Sequence, residues 1–149
     1  MKKLIYLTTT LLFLGAILLA GYTPAKASQP QTVEIHIRFD ITGPYTAEGD
    51  FYITGAIQDT GTGSQVVRIT DDGMIQGTKI LSGQNGTIRL RFNAEATPSG
   101  EAFGHFVVVS GTGAYENIHG KGTTYATFVL EDGVPKIVGT YLGNTHIDP

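Results

Sequence analysis

The sequence predicts an all-β domain, an antiparallel up-and-down barrel of about eight strands. Three observations predict it. Apolar and polar residues alternate with period two along several segments. Turn-forming pairs such as Asn85-Gly86 and Asp132-Gly133 separate those segments. No stretch after residue 28 carries a helical period. A two-sheet β-sandwich is the alternative architecture. Short hairpin connections favour the barrel, because Greek keys need longer crossings. Closure also removes the sheet edges that invite aggregation.

Residues 1–27 read as a signal peptide and leave the fold argument. Lys2 and Lys3 supply a positive start, Leu11 to Ala20 an apolar core, and Ala25-Lys26-Ala27 a small-x-small cleavage pattern. Cleavage after Ala27 predicts an exported chain, extracellular or periplasmic, comprising one domain over 28–149. The competing reading is an uncleaved anchor, but Thr8, Thr9 and Thr10 interrupt an apolar stretch already short of the roughly 20 residues a span needs. No cysteine is present, which excludes a disulfide framework and a cysteine-linked lipid. Loss of Lys2, Lys3 and Lys26 leaves seven basic residues against 13 acids, a net charge of about −6. That balance argues against nucleic acid or an anionic membrane as partner.

The strands follow in order. "TVEIHIRFDI" places Val33, Ile35, Ile37, Phe39 and Ile41 on one face and Glu34, His36, Arg38 and Asp40 on the other. "DFYITGAI" sets Phe51, Ile53 and Ile57 against Tyr52, Thr54 and Ala56. "QVVRIT" is a short strand, preceded by "DTGTGS", read as a turn. "TIRLRFNA" turns Ile88, Leu90 and Phe92 inward. "AFGHFVVVS", "TTYATFVLE" and "PKIVGTYLG" complete the set. Asn85-Gly86 and Asp132-Gly133 predict type I′ hairpins, which need positive φ at both central residues.

"VVVSGTGAYENIHGKGT" (107–123) has the glycine density of a phosphate loop without its chemistry. A Walker A loop requires Lys-Ser/Thr after its last glycine and then a helix. The third glycine of a dinucleotide fingerprint is also missing, since Glu116 stands there. The segment reads as a barrel corner: Gly111, Thr112 and Gly113 turn the chain, Tyr115 and Ile118 plug one end, and Gly120 and Gly122 return it to the sheet.

The residues "VVSGTGAYENIHGKGT" resemble the turn of the allene oxide cyclase barrel superfamily, to which dirigent proteins belong. "GTKILSGQNGTIRLRF" resembles bacterial exported members. The resemblance spans roughly residues 49–143. It implies an eight-stranded barrel with a central cavity, trimeric in many plant relatives, and so a possible homo-oligomer here. The matched positions Gly111, Thr112, Gly113, Tyr115 and Gly120 are structural in that family, and no catalytic acid aligns.

No catalytic constellation emerges from the residues. There is no Gly-x-Ser-x-Gly elbow, and the nearest histidines to Ser110 are His105 and His119. His36, His105, His119 and His146 are single, so no metal site is expected. Asp71-Asp72 reads as a solvated turn, and Asn85-Gly86-Thr87 matches a glycosylation sequon that the turn itself explains. No cofactor is called for.

Four residues are candidate ligand contacts: His105, Tyr115, Arg38 and Tyr52. His105 shares a face with Phe103, Val107 and Val109, and would be a lumen group if that face turned inward. A histidine hydrogen-bonded to backbone is the alternative. Arg38 with Glu34 and His36, and Arg89 with Arg91, make either a polar pocket or an ordinary solvent face. Tyr52, Tyr115, Tyr125 and Tyr141 would rim a pocket, or serve simply as β-formers.

Two main functions follow: a barrel binding a small apolar ligand in its lumen or mouth, or a cyclase-like isomerase that works by positioning. A third is a filled barrel acting through its surface. Packing of Phe51, Leu90, Phe92, Phe106 and Phe128 decides between them.

Overall fold

The structure, a computed structural model, describes residues 29–148. The leader and its cut after Ala27 lie outside the described residues. Eight strands follow in chain order: β1 (Gln31–Gly43), β2 (Thr46–Gly55), β3 (Asp59–Ile69), β4 (Met74–Gly83), β5 (Thr87–Ala96), β6 (Glu101–Gly111), β7 (Ile118–Glu131) and β8 (Val134–Ile147). Each pairs antiparallel with the next, and β8 pairs with β1, so the sheet closes into an up-and-down barrel. The sandwich alternative falls away, because β1 and β8 share a continuous ladder from Gln31↔Thr145 to Asp40↔Lys136.

Alternation decides which side chains enter the lumen. In β1, Val33, Ile35, Ile37 and Phe39 are buried, as their periodicity predicts. In β6 the inward set is Ala102, Phe106 and Val108, so Phe103, Val107 and Val109 face out.

One reading of the sequence needs correction here, and one strand, β4, is absent from the sequence reading. "DTGTGS" is not a turn but the first half of β3. Gly63 accommodates the Phe39 ring, whose Cζ would stand 2.6 Å from a Cβ at that position. The alternation of β4 is broken: its inward face runs Ile75, Gly77, Lys79 and Leu81, while Ile80 points outward.

The hairpins differ in the same instructive way. Asp132 (φ 50°) and Gly133 (φ 81°) both have positive φ, as a type I′ turn requires. Asn85-Gly86 does not form one, because only Gly86 (φ 149°) has positive φ. The Asn85 carbonyl accepts from the Ala114 N–H (2.8 Å), and the Gln84 and Asn85 N–H groups donate to the Asp59 carboxylate (2.9 and 3.2 Å). That connection is shaped by its neighbours, not by its own turn preference.

These contacts form the plug at one end of the barrel. After β6 the chain makes a short 3-10 turn, Gly113–Tyr115, before re-entering as β7. Gly113 has φ +65°, and a Cβ there would lie 2.6 Å from the Asn85 carbonyl oxygen. Tyr115 and Ile118 are buried, and the Tyr115 hydroxyl donates to Asp59 at 2.6 Å. The Thr60 N–H adds a fourth bond to the same carboxylate, at 2.8 Å. Burial alone raises the Asp59 pKa, but the donors Tyr115, Gln84, Asn85 and Thr60 outweigh it and hold the carboxyl below 3.8. The Tyr115 phenol is pushed up to about 12, by burial first and then by Asp59.

A depressed carboxyl pKa contributes stability above the unfolded value that is lost as pH falls through the folded value. Tyr115→Phe removes one charge-assisted bond and should cost about 1.5–3 kcal/mol in urea unfolding at neutral pH. It should also reduce the stability lost on acidification below about pH 4. An unchanged urea midpoint would contradict this account of the plug.

Candidate functional site

The other end of the barrel is open. Large side chains fill the lower lumen: Phe39, Phe51, Phe106, Leu81 and Leu90 are all buried. Toward the β1–β2 and β7–β8 turns the inward positions become small, with Ala47, Ala94, Ala102 and Ala126 lining the space. The result is a cup of about 140 Å³. Its wall is mainly apolar, with Ile41, Val67, Ile75, Phe128 and Ile137 among the lining residues, and Pro44 and Tyr45 stand at its rim. The lumen is therefore neither packed solid nor hollow throughout. Phe128 lines the mouth and is 42% exposed, while Phe92 faces the cup from one side.

The polar groups of the cup are few and paired. Gln65, Thr124 and Tyr141 line it and are 7%, 5% and 3% exposed. Thr124 and Tyr141 are cross-strand partners, and Thr124 hydrogen-bonds the Tyr141 hydroxyl. Burial raises the Tyr141 pKa, and Thr124 opposes it.

Gln65 has a cross-strand partner too, and it is Lys79. Alternation turns both inward, where Lys79 is 0% exposed. The Lys79 Nζ donates to Gln65 Oε1. Three rings surround the amine, with centroids 4.4 Å (Phe39), 5.1 Å (Tyr141) and 5.3 Å (Phe92) from Nζ. Among the described residues no carboxylate pairs with it. Burial away from water therefore pulls its pKa well below 10.5. The glycine opposite Phe92, Gly77, keeps the ring in place: a Cβ there would meet Phe92 Cζ at 2.6 Å.

The residues singled out from sequence lie elsewhere. His105 is exposed on the outer face of β6, with the Phe103, Val107 and Val109 side chains. Arg38 is exposed on β1 and pairs with Glu131. Tyr52 is exposed and stacks on His36, ring centroids 4.3 Å apart. Tyr115 belongs to the plug, with Gly111, Thr112 and Gly113 around it; Gly120 and Gly122 lie in β7. None of the four candidate ligand contacts lines the cup; Tyr141, noted from sequence as one of four tyrosines, does.

The histidines are less scattered than the sequence indicates. His119 and His146 are cross-strand partners, their Nε2 atoms 3.4 and 3.8 Å from Asp148. Among the described residues, no group of three or more histidines and carboxylates has metal-holding geometry. No helix among the described residues is long and apolar enough to cross a membrane.

Lys79 and the four alanines were not found from sequence. A lysine among glycines gives no periodic signal, and alanine reads as neutral in a strand. The signal that was available is the register itself: Lys79 stands two residues before Leu81 and therefore shares its face.

A base whose folded pKa is depressed loses stability to proton binding in the unfolded chain, so stability rises with pH between the folded value and 10.5. The slope is at most about 1.4 kcal/mol per pH unit. Lys79→Met should abolish that slope and raise stability near neutral pH by about 1–3 kcal/mol, read by denaturant unfolding between pH 6 and 9.5. Parallel pH profiles for the two proteins would contradict the assignment.

No protein-family model and no curated protein matches the chain. Two of the solved structures it is similar to are dirigent proteins. The pterocarpan synthase dirigent protein PsPTS1 aligns over 83% of this chain and 99% of its own, with TM-score 0.48 and 11% identity. The pterocarpan synthase dirigent protein GePTS1 aligns over 83% of this chain and 90% of its own, with TM-score 0.45 and 13% identity.

Proposed function

We propose that the protein binds a small, mainly apolar ligand in the cup at the open end of its barrel. The observation that carries this reading is an apolar pocket of about 140 Å³ floored by three buried polar side chains. Apolar walls supply affinity and a few oriented polar groups supply selectivity. A dry cavity of about 150 Å³ is large enough for benzene, so the cup suits a one-ring compound or a short aliphatic chain. Tyr141 and Thr124 give such a ligand one hydrogen-bonding end.

A positioning isomerase is the second reading, and the same polar floor favours it. A ligand held between an apolar wall and fixed hydrogen-bonding groups has its conformations restricted, which by itself lowers a cyclisation barrier. Export through cleavage after Ala27 belongs to the same proposal and is supported by the leader pattern of Lys2-Lys3, the apolar run Leu11 to Ala20 and Ala25-Lys26-Ala27. The intact mass of the released chain, beginning at Ser28, checks that part.

Benzyl alcohol is a suitable probe. It should bind with a Kd on the order of 0.1–1 mM, about −4 to −5.5 kcal/mol. NMR shift changes should concentrate at Tyr141, Thr124 and Gln65 and spare Tyr52 and His105. Ala126→Phe, which fills the cup, should weaken binding at least tenfold while leaving the strand signature intact by circular dichroism. Shifts confined to the outer face, or binding unaffected by Ala126→Phe, would overturn the reading.

A further inference from the structure

The cup's polar floor hides a chemically distinct group. Gln65, Phe92 and Tyr141 line the cup, and each of them also contacts the Lys79 amine from behind. A single layer of side chains therefore separates the amine from the ligand space. Of that layer, the Gln65 amide is the only hydrogen-bond partner Nζ has among the described residues.

We propose that Lys79 is a latched nucleophile that captures the carbonyl carbon of a small apolar aldehyde or ketone entering the cup, forming an imine. This rests on the cup reading above and names the ligand class it leaves open. The amine has what the chemistry needs. It lies away from water, which favours dehydration to the imine and slows its hydrolysis. Among the described residues no carboxylate holds it as an ammonium ion, and burial favours its free-base form. The geometry also supplies a gate: a carbonyl group, being an acceptor like the Gln65 amide oxygen, can replace that oxygen as the partner of the amine N–H.

The step balances without any outside oxidant or reductant. The nitrogen lone pair of Lys79 attacks the carbonyl carbon, and the carbonyl π electrons move to oxygen. A proton passes from nitrogen to that oxygen, giving the neutral carbinolamine. The hydroxyl then leaves with the second nitrogen proton as one water molecule, and the C=N bond forms. Water departs through the open mouth of the cup. The cation–π environment of Phe39, Phe92 and Tyr141 stabilises the iminium form whenever the imine is protonated.

The test uses benzaldehyde with sodium cyanoborohydride, which reduces an imine to a stable benzylamine. Intact mass spectrometry should show one benzyl group added rapidly, and peptide mapping should place it on Lys79. Labelling there should exceed labelling at Lys121 and Lys136 at least tenfold. Excess benzyl alcohol should suppress the Lys79 adduct and leave any surface adducts unchanged. Gln65→Ala should speed labelling of Lys79 by opening the latch, a result a merely structural lysine would not give. Adducts only on surface amines, with benzyl alcohol still bound in the cup, would overturn the lysine inference and leave the cup reading standing. No adduct at Lys79 together with no benzyl alcohol binding would overturn both. Because the mapping is done on the unaltered sequence, it does not depend on whether a Lys79 variant folds.

Discussion

The amine of Lys79 sits inside a closed sheet with one amide and three aromatic rings around it, and the packing of those four side chains depends on how it is held. Burying an amine costs several kcal/mol if it stays charged without a partner. The protein meets that cost through the Gln65 oxygen, the ring faces and a lowered pKa, not through a carboxylate. Gly63 and Gly77 are part of the same solution, since side chains there would displace the Phe39 and Phe92 rings from the amine. Phe92 and Tyr141 then serve two spaces at once: the pocket behind them and the cup in front.

The two ends of the barrel solve opposite problems with buried polar groups. At the closed end Asp59 is fully occupied: it accepts four hydrogen bonds and ties the β4–β5 connection to the Tyr115 turn. A charge so satisfied is structural, and its lowered pKa follows from those donors. At the open end Lys79 has one hydrogen bond and a raised free energy of protonation, which leaves it chemical capacity to spare. The difference between a satisfied and an under-satisfied ionisable group separates framework from candidate site more sharply than sequence motifs do here.

The fold was legible because most strands alternate cleanly. β1 shows every inward residue as apolar and every central outward residue as polar, and the plug was readable from Gly113 and Tyr115. The site was not legible for a related physical reason. Periodicity finds large apolar side chains, whereas a pocket is made where those side chains are missing. Ala47, Ala94, Ala102 and Ala126 are inward positions that decline to fill the lumen, and β4, the strand bearing Lys79, lacks the unbroken alternation that would have marked it. Conversely, His105, Arg38 and Tyr52 drew attention as polar or aromatic groups on strands, but the choice of inward face placed all three outside. Asn85-Gly86 failed as a hairpin rule because tertiary hydrogen bonds to Asp59 and Ala114 outrank local turn preference.

The central claim is that the Lys79 amine lies in the lumen, shielded from water and paired with no carboxylate among the described residues. Its direct measurement is an NMR titration of the Lys79 Nζ and Cε signals, assigned by their loss in Lys79→Met. The account predicts a midpoint well below 10.5 and slow exchange of the amine protons with solvent. A midpoint at the ordinary lysine value, with protons exchanging freely, would contradict it.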